Sequence, residues 1–320
     1  MGKLEKRVRK AMLCMTRQCW EQGVMAQALW ETGREDETAL AVYDMVLRQS
    51  ADGRLCNVEN TPAVTDSAFC VPAIWREAEK TGNEKYRQAV EKNITFFLRD
   101  ARRAEDGTLY HMIDATDIWA DSAAFLPWVL ALTGHVREGI AQMDGICRHL
   151  YDKESGLYFH MWNEGRQEYT RKVRWGVGNG WILTGLMRLY REVKAKEPEE
   201  AERLHQRLRR LLEKMMECVG EENLLHDILD DKDSFCESES SAMLAYVIYS
   251  LAGEESLPPA YLEKADRIRQ ALLERVTQEG LVTWASSSPD FVGPGTAVEC
   301  QAHFLMMEAA REKLKKREDI

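Results

Sequence analysis

The chain has 320 residues, 45% of them hydrophobic, with 53 acidic against 43 basic side chains for a net charge of -10. That length and apolar content predict one domain spanning 1–320 with a sizeable core, and the acidic balance argues against nucleic acid as a partner. The opening MGKLEKRVRK reads as a charged helix rather than a secretory leader, and no apolar run is long enough to span a bilayer. The eight cysteines show no CxxC spacing, which predicts reduced thiols in a cytoplasmic protein; the seven histidines form no metal-ligand spacing, so neither a metal nor another cofactor is expected.

In chain order, WEQG at 20–23 could head a first helix, and a turn, DGRL at 52, follows it. Next comes TPAVTDSAF at 61–69, then a charged amphipathic stretch at 84–102, then a second turn, DGTLYHM at 106, and a near copy of the first phrase, TDIWADSAAF at 116–125. The pattern returns three more times. Turns SGLYFHM at 155, ENLLHDI at 222 and EGLVTW at 279 precede WGVGNGW at 175, ESESSAM at 237 and GTAVECQA at 295; amphipathic stretches at 136–151, 199–217 and 259–274 fill the gaps.

The period is roughly 50 to 65 residues, and five turns imply six units of outer helix, turn and inner helix. The predicted fold is therefore all-α, an (α/α)6 barrel of six helical hairpins, with strand signals confined to short β-like turns. An open helical solenoid is the alternative, but a unit near 55 residues exceeds the common 34-residue helical repeats, and the polar-aromatic phrases recur at one place in every unit.

The paired phrases make Asp66 and Asp121 equivalent. A threonine five residues before each, Thr61 and Thr116, would act as N-cap and set each aspartate early on an inner helix. Two convergent carboxylates suit proton-transfer chemistry on sugars, whereas a single Asp at a helix start is often only a cap or dipole partner. Trp175 and Trp181 flank Gly176, Gly178, Asn179 and Gly180, a helix entry that lets backbone approach a ligand beside an indole wall. Core packing is an equal reading for Trp181 and the stronger one for Trp20. Glu237, Glu239 and Glu299 also head inner helices, with their place relative to the cavity left open.

Taken together, WADSAAF, the His and Trp of YFHMW, WGVGNGW, ESESSAM and GTAVECQAHFLM resemble the unsaturated uronyl hydrolases of glycoside hydrolase families 88 and 105, in order over nearly the whole chain. The separation of the two aspartates fits the rhamnogalacturonan-directed family 105 somewhat better. The resemblance implies hydration of the C4=C5 double bond that polysaccharide lyases leave on a non-reducing uronyl residue, with a small oligosaccharide as the partner. Asp121 would protonate C4 and help deliver water to C5; Asp66 would hold sugar hydroxyls and, as a neighbouring carboxylate, raise the Asp121 pKa. His160, His111, Asn179, Trp175, Trp181 and Trp20 would contact substrate. Where many family members read WGRGNGW this chain has Val177, so Arg174, Lys172 or Arg171 would have to meet the substrate carboxylate. The alternatives are an unsaturated glucuronyl hydrolase, another (α/α)6 glycosidase or sugar epimerase, or a non-catalytic carbohydrate-binding barrel. No motif encodes an oligomeric state.

Overall fold

The computed structural model describes residues 2–58, 61–286, 291 and 293–318. Twelve α-helices alternate among the described residues. The outer set is α1 (Lys3–Met15), α3 (Glu35–Leu47), α5 (Glu84–Thr95), α7 (Val136–Leu150), α9 (Pro198–Glu217) and α11 (Pro259–Glu274). The inner set is α2 (Cys19–Glu31), α4 (Val71–Thr81), α6 (Leu126–Leu132), α8 (Gly176–Val193), α10 (Ser238–Ala252) and α12 (Val298–Glu318).

The two sets differ as their sequences demand. Outer helix α9 buries a stripe of Ala201, Leu204, Leu208, Leu211 and Met215 and turns its charges to solvent. Inner helices α8 and α10 bury nearly every side chain, as helices enclosed by others must. The inner helices contact in sequence from α2 through α4, α6, α8 and α10 to α12, and α12 packs back on α2. That last contact closes the ring and rules out the open solenoid.

One device joins each outer helix from α3 onward to the next inner one. The turn amides of Ser50, Ala104, Gly220 and Thr277 donate to the carbonyls of Arg54, Thr108, Leu224 and Leu281, and Asp152 does the same to Leu157. Each turn needs one residue of left-handed backbone, and Gly53, Gly107, Gly156, Asn223 and Gly280 supply it. Glycine pays no Cβ penalty there and asparagine tolerates the conformation, so a turn of this kind is readable from sequence.

The aspartate segments differ from the expectation. Asp66 lies in a 3-10 turn, Thr65–Cys70, and Asp121 in another, Ala120–Ala123, each ahead of its α-helix. Pro72 and Pro127 occupy the first turns of α4 and α6 and have no N–H with which to extend the α-ladder backwards. Thr61 and Thr116 are not N-caps. Thr61 accepts from the Ala63 amide, and Thr116 donates to Asn163 across to a neighbouring strand.

A small antiparallel meander sits above the inner-helix starts: β1 (Asp117–Trp119), β2 (Met161–Asn163) and β3 (Glu168–Arg171). Its register pairs Trp119 with Met161 and Met161 with Arg171, which brings Asp121, His160 and Arg171 to one place from three segments. A second pair, β4 (Leu225–His226) with β5 (Cys236–Glu237), leads into α10.

The Asp121 turn rests directly on α8. A Cβ on Gly185 would overlap the Ala123 carbonyl oxygen, a backbone atom that cannot swing aside. Gly185→Ala should therefore lower stability by about 3 kcal/mol in denaturant titration, and should reduce turnover by displacing Asp121.

Candidate active site

The starts of the inner helices, or the turns that lead into them, line one cavity of about 190 Å³. Trp20 comes from α2, Asp66 and Phe69 from the turn before α4, and Asp121 from the turn before α6. Trp175, Val177 and Trp181 come from the start of α8, Glu239 from α10 and Glu299 from α12. His111, Trp119, Ser286 and Phe291 also line it.

The two aspartate phrases are bonded to each other. Thr65, next to Asp66, lies 2.7 Å from His111 Nδ1 and 3.1 Å from the hydroxyl of Ser122, which is next to Asp121. His111 Nε2 stands 3.6 Å from Asp66, and its ring stacks on Trp119 with centroids 4.1 Å apart. Burial holds this imidazole down to about 4, so it is neutral at physiological pH.

Asp121 is oriented by a relay. Arg171 Nη1 lies 2.7 Å from His160 Nδ1, and His160 Nε2 lies 3.1 Å from Asp121 Oδ2. A guanidinium can only donate, so Nδ1 of His160 accepts and Nε2 carries the hydrogen that Asp121 receives. The His160 ring packs against Trp175 and Phe291, with centroids 4.3 and 4.8 Å away. Arg171 also lies over the Trp175 and Phe291 rings, 5.4 and 5.3 Å from their centroids. Trp175 is fixed by its indole N–H, 3.1 Å from both Asp227 and Ser286.

The charges are unevenly held. Burial, then the charges of Asp121 and Glu299, push the Asp66 carboxyl up to about 7 against the pull of Arg54. Burial opposes ionisation of Asp121 as well, but the hydrogen bond from His160 holds it below the usual carboxylate range. This reverses the expectation that Asp66 would raise Asp121: the raised member of the pair is Asp66. Near neutral pH Asp121 is therefore ionised while Asp66 is partly protonated, and below about pH 7 the pair holds one proton, on Asp66.

Two more carboxylates share the cavity. Burial and the charge of Glu21 push Glu299 up to about 7 while the Trp20 indole donates to it. Burial, then Glu299 and Glu237, raise Glu239 well above its ordinary value, and its Oε1 has no hydrogen-bond partner among the described residues. Glu237 does not line the cavity. Its carboxylate caps α10 by accepting from the amides of Glu239 and Ser240 at 2.9 and 2.6 Å, and from that of Ser286 at 3.1 Å.

Three sequence candidates lie off the cavity wall: His160, expected to contact substrate, is fully buried behind Asp121, which its Nε2 meets at 3.1 Å, and Arg174 and Asn179 are engaged elsewhere. Arg174 is bound to Asp152 at 2.6 Å and to Asp230, and its guanidinium covers Phe159, so it is not on the cavity wall. Asn179 is a staple: its amide bonds both backbone groups of Tyr158 and the Trp175 carbonyl at 2.9 Å, holding the third turn to α8. Trp119, Phe291, Asp227 and Ser286 join the site without a motif of their own. Trp119 stands within the WADSAAF phrase and Asp227 within the fourth turn, which were the available signals.

Six hairpins closed into a ring, with a carboxylate-lined cavity at the inner-helix starts, define an (α/α)6 barrel of the glycosidase type. The chain belongs to Glycosyl Hydrolase Family 88, whose model matches residues 2–292. It is 27% identical over 231 residues to the unsaturated rhamnogalacturonyl hydrolase YesR of Bacillus subtilis, a stretch covering 68% of this chain and 63% of that protein's length. Among solved structures it is similar to a possible member of the GH105 family from Salmonella enterica serovar Paratyphi A, with a TM-score of 0.84, 18% identity and coverage of 98% of this chain and 93% of that one. A heparin-specific unsaturated glucuronyl hydrolase gives 0.73, at 12% identity and 98% coverage of each chain. At such identities the solved structures establish the fold.

Proposed function

We propose that the protein is an unsaturated uronyl hydrolase, removing a non-reducing 4,5-unsaturated uronyl residue from short oligosaccharides left by lyases. The observation that carries this reading is the carboxylate pair, Asp66 raised and Asp121 lowered, that faces one cavity at the inner-helix starts. Supporting it are the family membership and the similarity to a rhamnogalacturonyl hydrolase, which favours a galacturonyl residue over a glucuronyl one.

In this reading the substrate lies with C4 and C5 against Asp121. The uronate charge raises the Asp121 pKa, and the pair's proton passes to the carboxyl that faces the ring. Asp121 delivers it to C4, the electron-rich end of the vinyl ether. Water adds to the resulting cation at C5 and gives its own proton back to Asp121. The product is a hemiketal; it opens to a C5 ketone, the anomeric centre collapses to an aldehyde, and the remaining saccharide leaves with its glycosidic oxygen. The carboxyl is regenerated, so no net proton is consumed.

An acid-rich pocket with Val177 in the arginine position must still accept an anion. Protonated Glu239 and Glu299 serve this end, since a neutral carboxylic acid donates a hydrogen bond where a carboxylate would repel. Loss of protons from Asp66 and Glu299 sets the alkaline limit: kcat/KM for an anionic substrate should fall as pH rises through about 7. A pH profile flat from 6 to 9 would contradict the assignment.

Arg171 acts here as a positioning residue, fixing the His160 tautomer. Arg171→Met should lower kcat on the order of 10- to 100-fold with little change in KM, and Arg171→Lys should recover part of it. An effect on KM alone would place Arg171 at the substrate instead.

The first assay is loss of the alkene's ultraviolet absorbance with unsaturated disaccharides from pectin and glycosaminoglycan lyase digests. Loss with a galacturonyl substrate is expected; loss only with glucuronyl substrates would move the specificity, and loss with none would refute the reaction. The cytoplasm is the proposed compartment, supported by eight free cysteines. Among the described residues no helix is long and apolar enough to cross a membrane.

A further inference from the structure

We propose a second ligand site at the opposite end of the barrel, a cavity that binds a small oxyanion on Arg188 and Arg76. The cavity measures about 350 Å³ and lies among the C-terminal halves of the inner helices, away from the aspartate pair.

Arg188, on α8, is 4% exposed. Its Nη1 makes one long hydrogen bond, 3.4 Å to the Ala124 carbonyl, while Nε and Nη2 have no partner among the described residues. Arg76, on α4, donates to Gln27 at 2.8 Å and lies 3.6 Å over the Trp30 ring. Both guanidinium groups approach Trp128, at 5.6 and 5.3 Å.

The carboxylates around this cavity are engaged with partners other than Arg188 and Arg76. Glu254 pairs with Arg191 at 2.9 Å and Glu192 with Lys196 at 2.6 Å. Glu31 offsets part of the Arg76 charge but accepts the Tyr246 hydroxyl and the Gln27 amide. Two arginines therefore converge on one cavity with no ion pair of their own among the described residues.

Helix polarity does not account for them. The partial negative charge of a helix C-terminus fades within its last turn, and both arginines stand five residues before their helix ends, Val193 and Thr81. Their side chains lean further toward the N-terminus. Stacking on Phe125 and the tryptophans offsets part of the desolvation cost. It leaves the free N–H edge of Arg188 unsatisfied, and that edge matches the oxygens of a carboxylate or a phosphate.

The same chemistry could come from a sugar acid, such as the product of a uronyl hydrolase, or from a phosphate compound. Calorimetric titration of the full chain with galacturonate and, separately, with inorganic phosphate distinguishes them. Binding of either anion is expected, with Kd at least about tenfold weaker in Arg188→Met. Because galacturonate can also enter the aspartate cavity, only the component lost in Arg188→Met counts. Removing an unpaired buried charge should leave the variant folded, with an unchanged or higher Tm in anion-free buffer. Arg76→Met, nearer the rim, provides the same test should Arg188→Met fail to fold. Binding of phosphate alone assigns the phosphate source, and binding of galacturonate alone the sugar-acid source. No binding of either anion, or binding that both variants retain, overturns the site.

Discussion

Asp121→Asn should lower kcat on unsaturated disaccharide by about 10³-fold while leaving the helical circular dichroism and the His160 contact intact. Asparagine keeps the shape and can still accept from His160 Nε2 through its side-chain oxygen. It cannot carry the proton that C4 needs. Asp66→Asn is the informative companion, because asparagine imitates the protonated state that Asp66 holds below about pH 7. A smaller loss is expected there, on the order of 10- to 100-fold, with the alkaline limb of the pH profile shifted. A larger loss in Asp66→Asn than in Asp121→Asn would mean that Asp66 itself delivers the proton.

Glu299→Gln should stabilise the protein at alkaline pH. The Glu299 carboxyl rises from an ordinary value of 4.5 to about 7 in the folded chain because it is buried beside other acids. Between those values the folded state binds the proton and the unfolded state does not, so stability is greatest at the acid end and is lost as pH rises through about 7. The shift corresponds to a cost on the order of 3 kcal/mol at pH 8, which glutamine removes. Denaturant titrations of wild type and variant should therefore separate at pH 8 and converge at pH 5. Glu239→Gln should behave alike, since burial and the neighbouring glutamates raise it in the same direction. The substrate side carries the opposite sign: if the protonated acids donate to a uronate, each glutamine should flatten the rise of KM with pH. Coincident stability curves at pH 8 would show both glutamates to be ordinary ionised groups.

The hairpin repeat was legible because its turns require left-handed backbone, and glycine or asparagine marks that need in the sequence at 53, 107, 156, 223 and 280. The aspartate pair was legible for a related reason: two copies of one phrase occupy equivalent places in a ring, and their side chains reach one cavity. Arg174 misled because it stands three residues from Arg171, across the bend where β3 gives way to α8. Arg171 turns toward His160 and Arg174 toward Asp152 and Asp230, and no spacing in RKVR distinguishes the two directions. Asn179 misled because a glycine-rich helix entry needs a staple as much as it admits a ligand, and its amide closes on Tyr158. The charge order within the pair could not be read either, since each aspartate has a histidine from a turn beside it and only Asp121 is close enough to be hydrogen-bonded.

The most direct test of the central claim is the fate of the C4 hydrogen. With the purified enzyme in heavy water, nuclear magnetic resonance of the first product formed should show one deuteron on a single face of C4, with the alkene lost at the rate at which the saccharide is released. An intact unsaturated monosaccharide, released without deuterium at C4, would mean attack at the anomeric carbon and would contradict hydration by the Asp66 and Asp121 pair.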